Sequence, residues 1–468
     1  MSLIEEDSHE CSTSPLEWFQ VSPTQTAIER SFETEYQPLT PIADGQAVEF
    51  SVPASVTEYI DLLNTKLFVK FKLTNADGDD LVAADVVAPI NDIFNSMWSN
   101  VELKLNGRLI SQSSNTHGYT SIISHLIHDS DESLNSERAM RLIYKDSANQ
   151  MDVTEARLAN NQHLIPGFDI ISHAPVGEDG VITYTDLAAN AVVGNNGLHY
   201  RYLQTRLSKP VEMLGRLRID MFKQERYLPN GIDMKIRLHP QTDAYRLMTA
   251  GNFKLKLIDT HLVVRRVEVS PGVLSGHTQN MLMMPAKFPI IRKECKTIAI
   301  AAGMRDVKRD NIFLGQLPKR VVIGMVDGDA SAGSFTKNPY NFKHFNIKHM
   351  QLFADGTPIR TDALTPNIAT GSYLNCYESL YRGLNNMDGD KGSIIKRVDW
   401  DKGYSLFAYD LTPDMDEDDH YALIKHGNLR LDIQFNEALP EPISIILYAE
   451  FDNIIEITGE KKILIDFN

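Results

Sequence analysis

The sequence predicts an all-β chain made of two antiparallel sandwich domains in tandem, and three observations carry that prediction. A β-rich unit occurs twice, short apolar strands are separated by Gly and Pro, and long helical periodicity is scarce. The repeat is clearest at Val101-Glu102-Leu103-Lys104-Leu105-Asn106-Gly107-Arg108-Leu109-Ile110, where an alternating strand runs into Asn-Gly. Met350-Gln351-Leu352-Phe353-Ala354-Asp355-Gly356-Thr357-Pro358-Ile359 repeats that layout at an offset of 249 (101 to 350). Asn-Gly and Asp-Gly after an alternating strand mark two-residue hairpins, because a type I′ turn needs positive φ at both central residues.

The flanks repeat as well. Val48-Glu49-Phe50-Ser51-Val52 followed by Leu67 to Leu73 and Asp77-Gly78 pairs with Thr297-Ile298-Ala299-Ile300, Arg320 to Val326 and Asp327-Gly328, at an offset of 248 (50 to 298). Downstream, Met234 to Leu238, Lys254 to Leu257 and Leu262 to Val269 pair with Leu429 to Phe435, Ile443 to Phe451 and Ile454 to Ile457. There the offset has fallen to 188 (267 to 455), so the first copy holds 61 more residues in its middle (249 less 188). Two units divide 468 residues into cores of ordinary size, since single cores rarely exceed about 250–300 residues. Alternating antiparallel strands with long excursions suit the jelly roll, in which inward residues of two sheets make one core. The expectation is two tandem antiparallel eight-stranded jelly rolls, a double jelly roll, with long inserted loops and short helices.

Taken in order, residues 1–45 are rich in Ser, Thr, Pro and Glu with isolated Trp18, Phe19 and Tyr36, and read as an extended arm. The first jelly roll is expected over 46–270, with a large inserted loop at about 111–210 leaving the sheet as a protrusion. Within that loop, Thr120 to Tyr144 is the best helical candidate, with Ile122, Ile123, Leu126 and Ile127 on one face. Residues 271–295, with Gly272, Gly276, Pro285, Pro289 and the cluster Met281, Met283 and Met284, read as a linker. The second jelly roll is expected over 296–458 and a short tail over 459–468.

Composition narrows function. Apolar residues make 43% and charged residues 23% of the chain, which suits a folded protein. A net charge of −16 repels phosphate backbones, so direct nucleic-acid binding is not expected. The basic pairs Arg265-Arg266 and Lys319-Arg320 read as solvated strand faces. Cys11, Cys295 and Cys376 are too few and too scattered for a disulfide framework or a metal set. With no Asn-x-Ser/Thr acceptor, no leader-like start and no apolar run near 20 residues, the expected setting is a reducing compartment.

A tandem-cupin metal centre needs two His at alternate strand positions, and His344 and His349 are five apart, while His125 and His128 suit a helix but lack a third ligand. Asp388-Gly389-Asp390-Lys391-Gly392 and the acidic run Asp414 to Asp419 lack the Gly and Glu that a calcium loop requires. Phosphate-binding loops and nucleophile elbows are absent. The sequence therefore predicts no enzyme, with no catalytic, cofactor-binding or metal residues.

Several segments resemble the double jelly-roll major capsid proteins of Polinton (Maverick) elements and adintoviruses, in the adenovirus-like capsid lineage. They are Gly215 to Phe222 with Leu228-Pro229-Asn230-Gly231, Tyr373 to Leu380, Gly403 to Asp414, and Gly427 to Asp432 with Tyr448 to Asn453. The resemblance covers most of the chain from about Ala47, but neither the arm nor residues 129–197. It implies a virion protein that forms pseudo-hexagonal homotrimers and tiles an icosahedral shell around double-stranded DNA. It also implies neighbouring capsomers, penton and minor capsid proteins as partners, assembly in the host nucleus or cytoplasm, and in some viruses an internal membrane. The inserted loop would project outward as a tower and the arm would run beneath the capsomer. Alternatives are a transient capsid scaffold of the same fold or, from another class, a tandem-cupin enzyme or sugar-binding β-sandwich.

Overall fold

The computed structural model describes residue 15 and residues 18–19, 21–112, 115–134, 136–154, 195–313, 315–387, 393–413 and 420–465. The first domain contains β1 (Ile28–Tyr36), β2 (Val48–Val52), β3 (Glu58–Asn75), β4 (Val87–Pro89), β5 (Trp98–Leu105) and β6 (Arg108–Gln112). After a long connection follow β7 (Val211–Gly215), β8 (Met234–Pro240), β9 (Leu247–Thr249) and β10 (Phe253–Val269). One sheet runs β1-β10-β3-β7 and its partner runs β2-β8-β5-β6; β4 and β9 make a small separate ladder.

The second domain has β11 (Ala286–Ile300), β12 (Asp306–Arg309), β13 (Arg320–Asp327), β14 (Ile347–Ala354), β15 (Thr357–Pro358), β16 (Phe407–Asp410), β17 (Leu429–Phe435), β18 (Ile443–Ile457) and β19 (Ile463–Ile465). Its sheets run β11-β18-β13-β16, with β19 also on β18, and β12-β17-β14-β15. Strand for strand this is the order of the first domain, and every strand pair is antiparallel. Each domain is an eight-stranded jelly roll. The hairpin signals place the turns correctly: Asn106 and Gly107 have φ of 46° and 76°, and Asp355 and Gly356 have φ of 49° and 79°.

The topology corrects the repeat at one end. The counterpart of β11 is β1, which lies inside the stretch read as an arm, and the counterpart of β2 is the short β12. β1 is an edge strand in the sequence Ile-Glu-Arg-Ser-Phe-Glu-Thr-Glu-Tyr, exposed along most of its length, so no apolar alternation announces it. The expected linker is structured too: a helix (Pro271–Met283) with Pro271 in its first turn leads directly into β11. Pro289 is accommodated because β11 is also an edge strand, paired on one side with β18. In both domains the runs read as two strands near the end form one, β10 and β18, and β10 absorbs its polar interruption at a bulge between Leu257 and Asp259.

The surplus of the first copy lies between β6 and β7. Residues 113–210 make that connection, against 359–406 in the second domain, and residues 155–194 of it lie outside the described residues. The predicted helix is real but shorter: α1 (His117–His128) is followed by a single turn at Asp131–Leu134 and a 3₁₀ turn at Glu137–Arg141. A second helix, α2 (Asn196–Thr205), starts where the Asn195 side chain accepts the Leu198 amide N–H at 3.3 Å.

Within the sandwiches the alternation works as expected. Leu67, Val69, Phe71 and Leu73 on β3 are fully buried, whereas Lys70 and Lys72 turn outward to Glu212 and Asp80. β13 is buried at every residue, because its other face is also covered. A Cβ on Gly324 would stand 2.6 Å from Phe342 Cδ1 and 2.9 Å from Leu406 Cδ2. Gly324→Ala is therefore expected to destabilise the second domain by about 1–3 kcal/mol through overpacking, read as a lowered urea midpoint; an unchanged midpoint would show that this face can yield.

Candidate functional site at the junction of the two jelly rolls

Helix α1 joins the two domains because it carries two kinds of side chain. Ile122, Ile123, Leu126 and Ile127 enter the apolar core of the second jelly roll. Its polar residues His117, Ser121, Ser124 and His125 are equally buried, each no more than 1% exposed. Burial without partners costs roughly 2–7 kcal/mol per polar group, and a network meets that need for Ser121, Ser124 and His125.

That network begins at Asp92, which is fully buried before β5 and bonded to Ser121 and to Asn95 Nδ2 at 2.9 Å. His125 Nε2 lies 3.5 Å from the Asp92 carboxylate, and its Nδ1 contacts Asp129 one turn on. The Arg218 guanidinium, from the connection after β7, sits 2.8 Å from His125 Nδ1, and Arg138 donates to Asp129 at 2.8 Å. Burial opposes ionisation of Asp129, but the hydrogen bond from His125 and the charges of Arg218 and Arg138 hold its carboxyl well below the usual range.

The network continues into the second domain. Lys293 on β11 donates to Ser124 Oγ at 2.8 Å and stands 3.7 Å from Glu450, the buried one of three carboxylates on β18. Glu450 accepts the Tyr448 hydroxyl at 2.6 Å and pairs with Arg320 at 3.3 Å and His128 at 3.4 Å. Burial would raise its pKa; the His128 hydrogen bond and the Lys293 and Arg320 charges hold it well below the usual range instead. A second joint uses Arg201 of α2, which donates to Pro89 O at 2.8 Å, Tyr144 O at 3.0 Å and Asp146 Oδ1 at 2.7 Å. The other Asp146 oxygen accepts Asn338 Nδ2 of the second domain at 3.1 Å. The inserted connection is thus a charged staple between the sandwiches.

Beside α1 opens a cavity of about 470 Å³ with both domains in its walls. Farther out, an open apolar groove of about 900 Å³ is lined by Tyr421, Leu423, Ile424, Ile454 and Leu464. Leu423 is 78% exposed, and such clustered apolar exposure marks an interaction surface. Leu282, Met283 and Met284 form a second exposed apolar patch at the end of the 271–283 helix.

The residues weighed for chemistry do not converge. His125 and His128 enter different parts of the charge network. His344 lies in the loop before β14, not on a strand, with Nδ1 accepting the Asn346 amide N–H at 3.0 Å, and His349 is on β14. Cys295 and Cys376 are buried apart, and burial pushes both thiols up to about 12. Among the described residues no three His, Cys, Asp or Glu side chains group as a metal would require. Cys11 and the acidic loops 388–392 and 414–419 lie outside the described residues. One member of each basic pair is not on a solvated face: Arg320 is 1% exposed, and Arg266, 5% exposed, bonds Tyr36, Glu58 and Pro53 O, pinning β1 to the sheet. Arg265 and Lys319 stay partly exposed. Sequence reading missed Arg201, Arg218 and Glu450; the available signal was a single charge within an apolar run, as in Tyr448-Ala449-Glu450-Phe451.

The tandem sandwiches have counterparts among solved structures. A chain of the Sputnik virophage superposes with a TM-score of 0.63 at 11% identity, over all of this chain and 95% of that one. This fold is the double jelly roll. The mavirus major capsid protein aligns over all of this chain and 97% of its own, with a TM-score of 0.53 and 11% identity. The Faustovirus major capsid protein gives 0.55 and 10% identity, over 94% and 92% of the two chains. In sequence, an uncharacterized protein of Caenorhabditis elegans is 22% identical over 463 residues, 95% of this chain and 99% of that protein. No family model matches the chain.

Proposed function

We propose that this chain is a major capsid protein: a structural, non-catalytic subunit that self-assembles as pseudo-hexagonal homotrimers into the icosahedral shell of a double-stranded DNA virus or virus-like element. The observation that carries the reading is the strand-for-strand equivalence of two jelly rolls within one chain, the architecture it shares with the mavirus and Faustovirus capsid proteins. Two similar domains per subunit give three chains six similar lobes, so a trimer can occupy a hexagonal position. The apolar groove at Leu423, Ile424 and Leu464 is the kind of surface that subunit contact buries. The segments around Gly215 to Gly231 and Gly403 to Asp414 favour the Polinton and adintovirus type, and a full-length nematode relative suits an element carried in animal genomes.

On this reading the protein belongs to the virion, with neighbouring capsomers, penton and minor proteins as partners. Light scattering on the purified protein is the test. A species near three times the 52.7 kDa chain mass is expected, and a monomer that stays monomeric at high concentration counts against self-assembly.

A further inference from the structure

The cavity beside α1 is lined by four cationic side chains, Arg108, Arg218, Arg292 and Lys293, against two carboxylates, Asp220 and Glu294. They converge from separate elements: the β5–β6 hairpin, the connection after β7, and β11. Glu294 is already neutralised, with Arg292 at 2.9 Å and Lys296 at 3.0 Å. Asp220 accepts the Lys293 amide N–H at 3.0 Å. Arg108 stands exposed at the rim.

Two further features point to a ligand. The twelve-residue helix α1 starts in the cavity wall, where Thr116 and His117 stand, and the side chain of its N-cap residue Thr116 does not cap it. Thr116 Oγ1 instead donates to Cys295 O at 3.2 Å. A helix N-terminus presents amide N–H groups and the positive end of its dipole, which favours an oxyanion. Independently, His117 lines the same cavity, is 1% exposed, and has a buried Nε2 with no hydrogen-bond partner among the described residues. An unmet buried polar atom costs about 1–3 kcal/mol, and in the Nε2–H tautomer an oxyanion at that atom would supply the missing partner.

We infer that this cavity binds a small phosphate-type oxyanion between the two jelly rolls, held by Arg108, the α1 N-terminus and His117 against the Arg218, Arg292 and Lys293 side of the wall. Such an anion would tie the first domain's hairpin to the second domain's β11, and its function would be to lock the angle between the sandwiches. No covalent step is involved. This goes beyond the shell role and does not depend on it.

Equilibrium dialysis of the whole chain with radiolabelled orthophosphate, at ionic strength fixed with chloride, tests the proposal. Saturable uptake of about one phosphate per chain is expected, accompanied by a phosphate-dependent rise in melting temperature. Arg108→Gln, a surface change that should fold normally, is expected to weaken uptake about tenfold or more through loss of a charge-assisted hydrogen bond. His117→Asn tests the inner donor, with circular dichroism to confirm its fold, and Lys308→Gln on β12, away from the cavity, should bind like the parent. Uptake that never saturates, or that persists unchanged in folded Arg108→Gln and His117→Asn, would overturn the site.

Discussion

Arg201→Met is expected to cost about 3–5 kcal/mol of stability, the typical penalty for removing one partner of a buried ion pair. Arg201 is fully buried and Asp146 is 3% exposed, so the carboxylate cannot recover hydration when its partner is lost. The substitution also removes the guanidinium that donates to the carbonyls of Pro89 and Tyr144. Because Asp146 reaches Asn338, and its carbonyl accepts the Tyr404 hydroxyl at 2.7 Å, the loss should spread to the second domain. A folded domain holds only about 5–15 kcal/mol in total, so the urea midpoint should fall steeply. Arg201→Met with Asp146→Asn should recover part of that loss, since the orphaned charge is gone. A fall of less than about 1 kcal/mol for the single change would mean that the joint carries little load.

Mild acid is the second large effect. Burial, with the Arg218 charge adding and Asp92 opposing, pushes His117 and His125 down from 6.5 to about 4. Both are neutral in either state at pH 7.5. Between 6.5 and about 4 the unfolded chain takes up protons that the folded one refuses, so stability falls as pH falls. At pH 5 each histidine forfeits about 2 kcal/mol at about 1.4 kcal/mol per pH unit. Asp220 works the other way. Burial raises its carboxyl to about 6, against opposition from Lys293, so it returns about 1 kcal/mol by pH 5. Lys223, pushed down to about 6 by burial and by the Lys293 and Arg218 charges, refuses protons over the same range and offsets that return. The net expectation is a loss of about 4 kcal/mol between pH 7.5 and 5. Asp129 and Glu450, held low, add their losses only in stronger acid. Thermal midpoints at the two pH values check this, and His117→Asn should reduce the drop by roughly half. A midpoint that holds or rises on acidification would contradict it.

The fold was legible where local chemistry and tertiary role agree. The Asn106-Gly107 and Asp355-Gly356 turns need positive φ wherever they occur, and β3, β8 and β17 alternate because one face is buried. β1, β12 and β16 escaped notice for a physical reason: they are exposed at an edge or too short to show a period. The junction was half legible. The apolar stripe of α1 stands out, but the partners of its polar face are far apart in sequence. Asp92, Arg218 and Glu450 meet only once two sandwiches are packed, and no local pattern marks that meeting.

Images of the purified assembly test the central claim most directly. Class averages from electron microscopy should show a three-fold particle with six lobes in a pseudo-hexagonal outline, two lobes per chain. Particles with a single pair of lobes, or an assembly whose symmetry is two-fold, would contradict the capsomer reading.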